Sequence, residues 1–133
     1  MILKGGLSGV RLRKVRGHSV CSENIPNKLK KYEELDELWQ VFLECDRAIV
    51  ATKNREIVGI LRFNVDGFEF GATGTWVHKR YRKKGLGTKL WEYALGRGRY
   101  QTIYVVPGTS TGKKFIMFLK VHFGERYEFT KET

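Results

Sequence analysis

The chain has 133 residues, 41% apolar and 29% charged, which is the composition of an ordinary globular protein with a two-layer core in a single domain, 1–133. Its 25 Lys and Arg against 14 Asp and Glu give a net charge of +11, which favours anionic partners such as phosphates or nucleic acid. Neither cysteine, Cys21 or Cys45, lies in a CxxC pair or a metal-ligand cluster, and no apolar run approaches the ~18 residues of a membrane span. The N-terminus "MILKGGLSGVRLRKV" lacks the apolar core of a signal peptide. The expectation is a cytoplasmic protein with free thiols, no metal and no membrane.

In chain order, "GVRLRKV" alternates apolar and basic residues and predicts an edge strand with one wet face. Between Pro26 and Asp46, Leu29, Tyr32, Leu35, Leu38, Trp39, Phe42 and Leu43 recur at helical spacing, with Glu33, Glu34, Asp36, Glu37 and Glu44 on the outer side. Two β-branched runs, Ile49–Ala51 and Ile57–Leu61, flank the turn residues Lys53, Asn54 and Arg55 and predict a hairpin. Asp66-Gly67 then leads into a strand ending near Val77. After Gly85 the helical period returns, with Leu86, Leu90, Trp91, Ala94 and Leu95 on one face and Gly96 and Gly98 as stop signals. "TIYVVP" predicts a buried strand, "TGKKFIMFLKVHF" an apolar helix and "RYEFT" a last strand. This order predicts an α/β domain with a single mixed, mostly antiparallel sheet and helices on both faces.

Charge is uneven along the chain. Residues 1–31 carry eight Lys or Arg and one acid, residues 32–46 six acids and no base, and residues 78–99 eight bases and one acid. The last block contains "RKKGLGT", Arg82 to Thr88, between a strand and a helix. The first amides of a helix lack internal acceptors and the macrodipole makes that end positive, so an anion docks there. Gly85 and Gly87 let a phosphate approach the backbone. Arg82, Lys83 and Lys84 would repel the dipole unless an anion lay among them. Two other phosphate motifs fail. "GTSTGKK" has three residues between its glycines and Lys114 where a P-loop needs Ser or Thr, and a dinucleotide fingerprint would need glycine at Leu90.

"VHKRYRKKGLGTKL" resembles the acetyl-CoA-binding motif of the GNAT superfamily of N-acetyltransferases, a strand valine followed by [RQ]xxGx[GA]. The upstream "IVATKNREIVGILRF", including Gly59, resembles that family's second and third strands. The resemblance covers about residues 48 to 106 directly, and element order extends it over most of the chain. It implies a GNAT-like acyl-CoA N-acyltransferase fold with acetyl-CoA as co-substrate. It implies too that the strand end, Trp76, Val77 and His78, holds the pantetheine arm. The amides of Arg82, Lys83, Lys84, Gly85, Leu86, Gly87 and Thr88 would grip the pyrophosphate.

Acetyl transfer to an amine requires a base, alignment of the amine with the thioester and a proton for the leaving thiolate. The resemblance puts the base on the strand before the motif. Strict alternation from Val77 sets Thr75, Thr73, Gly71 and Glu69 on one side, and Glu69 is the carboxylate among them. The family's usual acid is a Tyr in the last helix, where this chain has Leu119 or Lys120. Tyr127 and Tyr104 are alternatives, and Thr109, Ser110 or Thr111 stand in for an Asn the family often has after its fifth strand. His18 is expected at the surface and His122 under the last helix.

The leading expectation is an N-acetyltransferase acting by direct attack in a ternary complex on a primary amine of a small molecule, a protein or an aminoacyl group. The chain is expected as a monomer or homodimer, its basic excess steering an acidic partner or RNA. Two alternatives stand beside it. One is a nucleic-acid-binding module in which Trp76, Tyr81 and Trp91 stack on bases between cations. The other is a catalytically weak protein that binds acetyl-CoA.

Overall fold

A computed structural model describes residues 2–3, 5–16, 47–96, 100–105, 117–118, 120–121 and 128–131. Within them six strands form one sheet, in chain order from edge to edge. They are β1 (Arg11–Arg16), β2 (Arg47–Lys53), β3 (Glu56–Asp66), β4 (Glu69–Val77), β5 (Thr102–Val105) and β6 (Glu128–Lys131). The first four pair antiparallel, and β4–β5 and β5–β6 pair parallel. Helix α1 (Leu86–Leu95) follows β4 and precedes β5, the crossover that parallel neighbours require. The mixed, mostly antiparallel sheet expected from the pattern is therefore present.

Local chemistry explains the joints. Asn54 and Arg55 both have positive φ, 52° and 67°, which makes a two-residue turn whose twist suits a hairpin. Lys53 and Glu56 are the last cross-strand pair before it, so the turn is one residue shorter than the three turn residues anticipated. Gly67, at φ 59°, turns β3 into β4. Gly96 keeps right-handed helical angles and its N–H bonds the carbonyl of Glu92, so it extends the helix and supplies no left-handed stop.

All five residues assigned to the apolar stripe of α1 are buried: Leu86, Leu90, Trp91, Ala94 and Leu95. They meet Ile49, Ala51, Leu61, Phe63, Phe70 and Ile103 of the sheet in one cluster. Phe70 is its aromatic hub, 4.6 Å from the Phe63 ring centroid, 5.5 Å from Trp91 and 5.2 Å from Tyr100. The Trp91 indole N–H donates to Thr75 Oγ1 at 3.2 Å and ties the helix to β4. Each of these large side chains contributes roughly 1.5–3 kcal/mol by leaving water.

The other sheet face is buried too, with Val15, Ala48, Val50, Ile60, Trp76 and Arg62. This corrects the expectation for β1. Leu12 and Val15 are both buried, yet three residues apart they point to opposite faces, so neither face of the strand is wholly wet. The expected helix between Pro26 and Asp46, both cysteines, His18, His122 and Tyr127 lie outside the described residues. Of the expected apolar helix, residues 117–118 and 120–121 are helical.

Gly59 sits where α1 crosses β3. A Cβ placed there would lie 3.2 Å from Leu86 Cδ2 and 3.4 Å from Leu90 Cδ1. Gly59→Val should therefore cost about 1–3 kcal/mol through overpacking, read as a lower urea midpoint with an unchanged slope. An unaltered midpoint would show that the helix does not rest there.

Candidate functional site

The connection from β4 to α1 is built by short-range hydrogen bonds. The His78 amide donates to the carbonyl of Val58 at 2.8 Å, and the His78 ring accepts the Arg80 amide at Nδ1, 3.1 Å. The Tyr81 amide returns to the His78 carbonyl at 2.8 Å, closing a 3-10 turn over Lys79–Tyr81. Arg82 Nε donates to the carbonyl of Val77 at 2.9 Å. The chain then passes through two left-handed residues, Lys83 at φ 61° and Gly85 at φ 85°.

The first bond of α1 runs from the Lys89 amide to the Gly85 carbonyl at 3.0 Å, so the amides of Leu86, Gly87 and Thr88 have no acceptor within the helix. No side chain caps this end and no acid occupies the first turn. Arg82, Lys83 and Lys84 are exposed around it. Free amides, the positive end of a dipole and three cations converge on one short loop, an arrangement that accepts a multiply charged anion. The Leu86 side chain points the other way, into the core, so only its backbone is available to a ligand.

The strand end sorts the other expected contacts. His78 bonds toward β3, so by antiparallel alternation Trp76, paired with Ile60, turns its backbone groups the same way. Val77 directs its N–H and carbonyl away from β3, and Arg82 occupies the carbonyl. Of the three residues expected to hold an extended ligand by backbone groups, Val77 retains an outward N–H. Among the described residues β5 pairs with β4 from Glu69 to Ala72, and Thr73–Val77 have no strand partner on that side.

Glu69 differs from its expected orientation. The β3–β4 register slips between Arg62 and Phe63: Arg62 pairs with Gly74 and Phe63 with Ala72, leaving Thr73 as an extra residue. Beyond the bulge the faces exchange. Thr75 lies on the α1 side with Phe70, while Gly71 and Glu69 lie on the opposite side, at the exposed start of the strand. Glu69 lines a small open cleft with Asp66, Phe68, Gln101 and Thr102. The bulge also brings the buried Arg62 guanidinium directly over the Cα of Gly74, where any side chain would collide with it. A bulge is the irregularity that changes the face of a residue as far up the strand as Glu69; the buried Arg62 was not foreseen, and an Arg in an otherwise apolar strand and the glycine pair Gly71 and Gly74 were the available signals.

Of the rings expected to stack on bases, Trp91 is 1% exposed and Trp76 8%, which removes both from any such surface. Thr109, Ser110, Thr111 and Leu119 lie outside the described residues, and Lys120 is exposed on a helical residue. A second basic group, Lys14, Arg16 and Arg47, lies on the β1–β2 edge, with Lys14 and Arg16 on one face by register. Burial first, then Arg47 and Arg16, lowers the Lys14 pKa below the ordinary lysine value. Among the described residues no helix is long and apolar enough to cross a membrane.

The acetyltransferase (GNAT) family model matches residues 17–109. No protein of curated function matches the sequence. Among solved structures, a proposed acetyltransferase from Deinococcus radiodurans R1 superposes with a TM-score of 0.64 at 16% identity, over 90% of this chain and 85% of that one. An aminoglycoside acetyltransferase from an uncultured soil metagenomic sample gives 0.61 at 19% identity over 93% and 96%. A ribosomal-protein-alanine N-acetyltransferase from Brucella melitensis biovar Abortus 2308 gives 0.60 at 13% over 83% and 90%. At such identities the likeness is one of fold.

Gly85 has open space around its Cα, so its requirement is conformational and not steric. Gly85→Ala should destabilise the fold by about 1 kcal/mol through the left-handed backbone alone, measured by urea unfolding. A neutral result would mean that the loop adopts another conformation.

Proposed function

The chain belongs to the GNAT family of acetyltransferases, and on that basis we propose that it transfers the acetyl group of acetyl-CoA to a primary amine by direct attack in a ternary complex. The observation that carries this reading is the set of amides at Leu86, Gly87 and Thr88, uncapped and ringed by Arg82, Lys83 and Lys84. A diphosphate matches that loop in charge and in acceptor number. From there the pantetheine arm runs back along β4, where the Val77 N–H faces outward, and brings the thioester toward the bulge at Thr73.

The acceptor arrives as an ammonium ion and must lose a proton before its lone pair can attack the thioester carbonyl. Glu69 is the proposed base. It stands four residues before Thr73, on the order of 13 Å along an extended strand, so the proton would reach it only along a chain of several waters and not through one. Attack forms the C–N bond, collapse of the tetrahedral intermediate breaks C–S, and the second proton lost by the attacking nitrogen passes through water to the departing sulfur, leaving the amide and the free thiol. The acceptor is an amine of a small molecule, a protein or an aminoacyl group. The cations Lys14, Arg16 and Arg47 favour one with an acidic body, RNA included. We place the protein in the cytoplasm, as a monomer or homodimer.

Acetyl-CoA at about 100 times its dissociation constant should stabilise the fold by about 2.7 kcal/mol in a thermal-shift experiment. Arg82→Glu and Gly87→Trp should each abolish that gain, and a wild-type protein that ignores acetyl-CoA would end the proposal. Release of free thiol across a panel of amines separates an enzyme from a protein that merely binds the coenzyme.

Glu69→Gln should lower kcat about 100-fold with little change in KM. An unchanged kcat would take the base role from Glu69.

A further inference from the structure

The two ends of the sheet differ in charge. Antiparallel pairing gathers the start of β1, the β2–β3 hairpin and the end of β4 at one end, because Arg11 pairs with Thr52, Lys53 with Glu56 and Gly59 with Val77. Among the described residues that end carries Arg11, Lys53, Arg55, Lys79 and Arg80 against the acid Glu56, before the loop cations from Arg82 onward are counted. At the other end Arg16 and Arg47 stand with Asp66 and Glu69, and the charges balance. Arg55, Lys79 and Arg80 are exposed, and none of them forms an ion pair among the described residues. Cations held side by side repel one another, and a polyanion laid across them relieves that repulsion.

A ring lies in the middle of this surface. Tyr81 is half-buried, with Lys53 Nζ 5.8 Å and Lys84 Nζ 5.7 Å from its centroid and the His78 ring edge-on at 6.1 Å. Together with Lys53, Asn54 and Arg80 it lines an open cleft of about 480 Å³, a size that admits a small planar group. An acidic protein would need the cations and no ring, whereas an unpaired nucleobase needs a π-face as well. A base that stacks on Tyr81 displaces one ammonium from the ring and leaves it beside that nucleotide's phosphate. A paired base cannot do this, because its faces are covered within the duplex. The Asn54 side chain offers both a donor and an acceptor, which is what a ribose 2′-hydroxyl offers in return. The cations Lys14, Arg16 and Arg47 have no such ring, since Phe63 opposite Arg47 is fully buried, and they attract by charge alone.

We propose that the hairpin end of the sheet is a docking surface for single-stranded RNA, with an unpaired base stacked on Tyr81 and the flanking phosphates on Lys53, Arg55, Lys79 and Arg80. The inference goes beyond the coenzyme reading and stands without it, because it uses none of the amides at Leu86, Gly87 and Thr88. Where both hold, RNA and coenzyme adjoin at the bond between Tyr81 and Arg82.

The test is fluorescence anisotropy of the full chain with a labelled oligouridylate of about 12 nucleotides, run beside its duplex with the complementary strand, its deoxy analogue and a polyglutamate peptide. Wild type should bind the single strand with a Kd below about 10 μM at about 0.1 M salt, weakening steeply as salt rises. The duplex has the greater charge density and should nonetheless bind at least about tenfold more weakly. A duplex bound as tightly as the single strand overturns the assignment, since charge alone would then account for binding. A deoxy strand of equal affinity overturns the choice of RNA, polyglutamate of equal affinity gives the surface to an acidic protein, and no binding of the oligouridylate ends the proposal. Arg55→Ala/Arg80→Ala should lose at least about tenfold in affinity for the single strand, and Lys14→Ala/Arg16→Ala, which removes the same charge, less than about threefold. Equal losses overturn the placement. These four residues are exposed, and an unchanged urea midpoint reports that each variant is folded. Thermal stabilisation by acetyl-CoA, measured on the same wild-type protein, reports on the coenzyme reading separately.

Discussion

Leu86 and Leu90 rest on a residue without a Cβ, and this close approach at Gly59 determines where α1 begins. The helix cannot slide along β3 without driving two leucines into the strand, and it cannot rotate without breaking the Trp91–Thr75 hydrogen bond. Because Leu86 is also the first residue of the helix, the contact that builds the core positions the uncapped amides as well. Packing and the placement of the uncapped amides are thus coupled through a single turn of backbone. The left-handed Gly85 and Lys83 let the chain leave β4 and enter α1 within that turn.

The electrostatic character of the loop follows from what surrounds it. A helix N-terminus ordinarily carries acids, which offset its dipole. Here the first turn has none, and the nearest charged pair on the helix, Lys89 with Glu92 at 3.2 Å, is exposed and contributes little. Arg82 is partly committed, because its Nε holds the Val77 carbonyl and so braces the loop against the strand end. Lys83 and Lys84, both exposed, add charge beside it, while Lys53 from the hairpin and Lys84 lie near the Tyr81 ring.

The bulge at Thr73 has the larger consequence for chemistry. One additional residue in β4 exchanges the two faces of the strand, so Glu69 and Thr75 part company. It also brings Gly74 beneath the Arg62 guanidinium, a buried cation in the middle of the sheet that would have to shift for any side chain there. The Glu69 carboxylate therefore stands at the exposed end of the strand, on the face opposite Thr75.

Local patterns were sufficient wherever the cause was local. The apolar stripe of α1 follows from helical periodicity, the hairpin from a left-handed pair flanked by β-branched runs, and the anion loop from glycines and cations placed between a strand and a helix. Other features depend on which distant segment lies alongside. Slipping one residue in the β3–β4 register reverses the side on which Glu69 stands, and strand pairing decides that His78 bonds Val58 while Val77 faces out. The meeting of Lys53 with Tyr81, far apart in sequence, arises only when β2 and β3 carry the hairpin up beside the end of β4. The sequence by itself determined the fold class, the helix face and the basic, glycine-bearing character of residues 82–88, because those are written in neighbouring residues. Tertiary structure decided the facing of β4 and the neighbours of the loop, because hydrogen-bond register is a property of two chains side by side and not of either one alone.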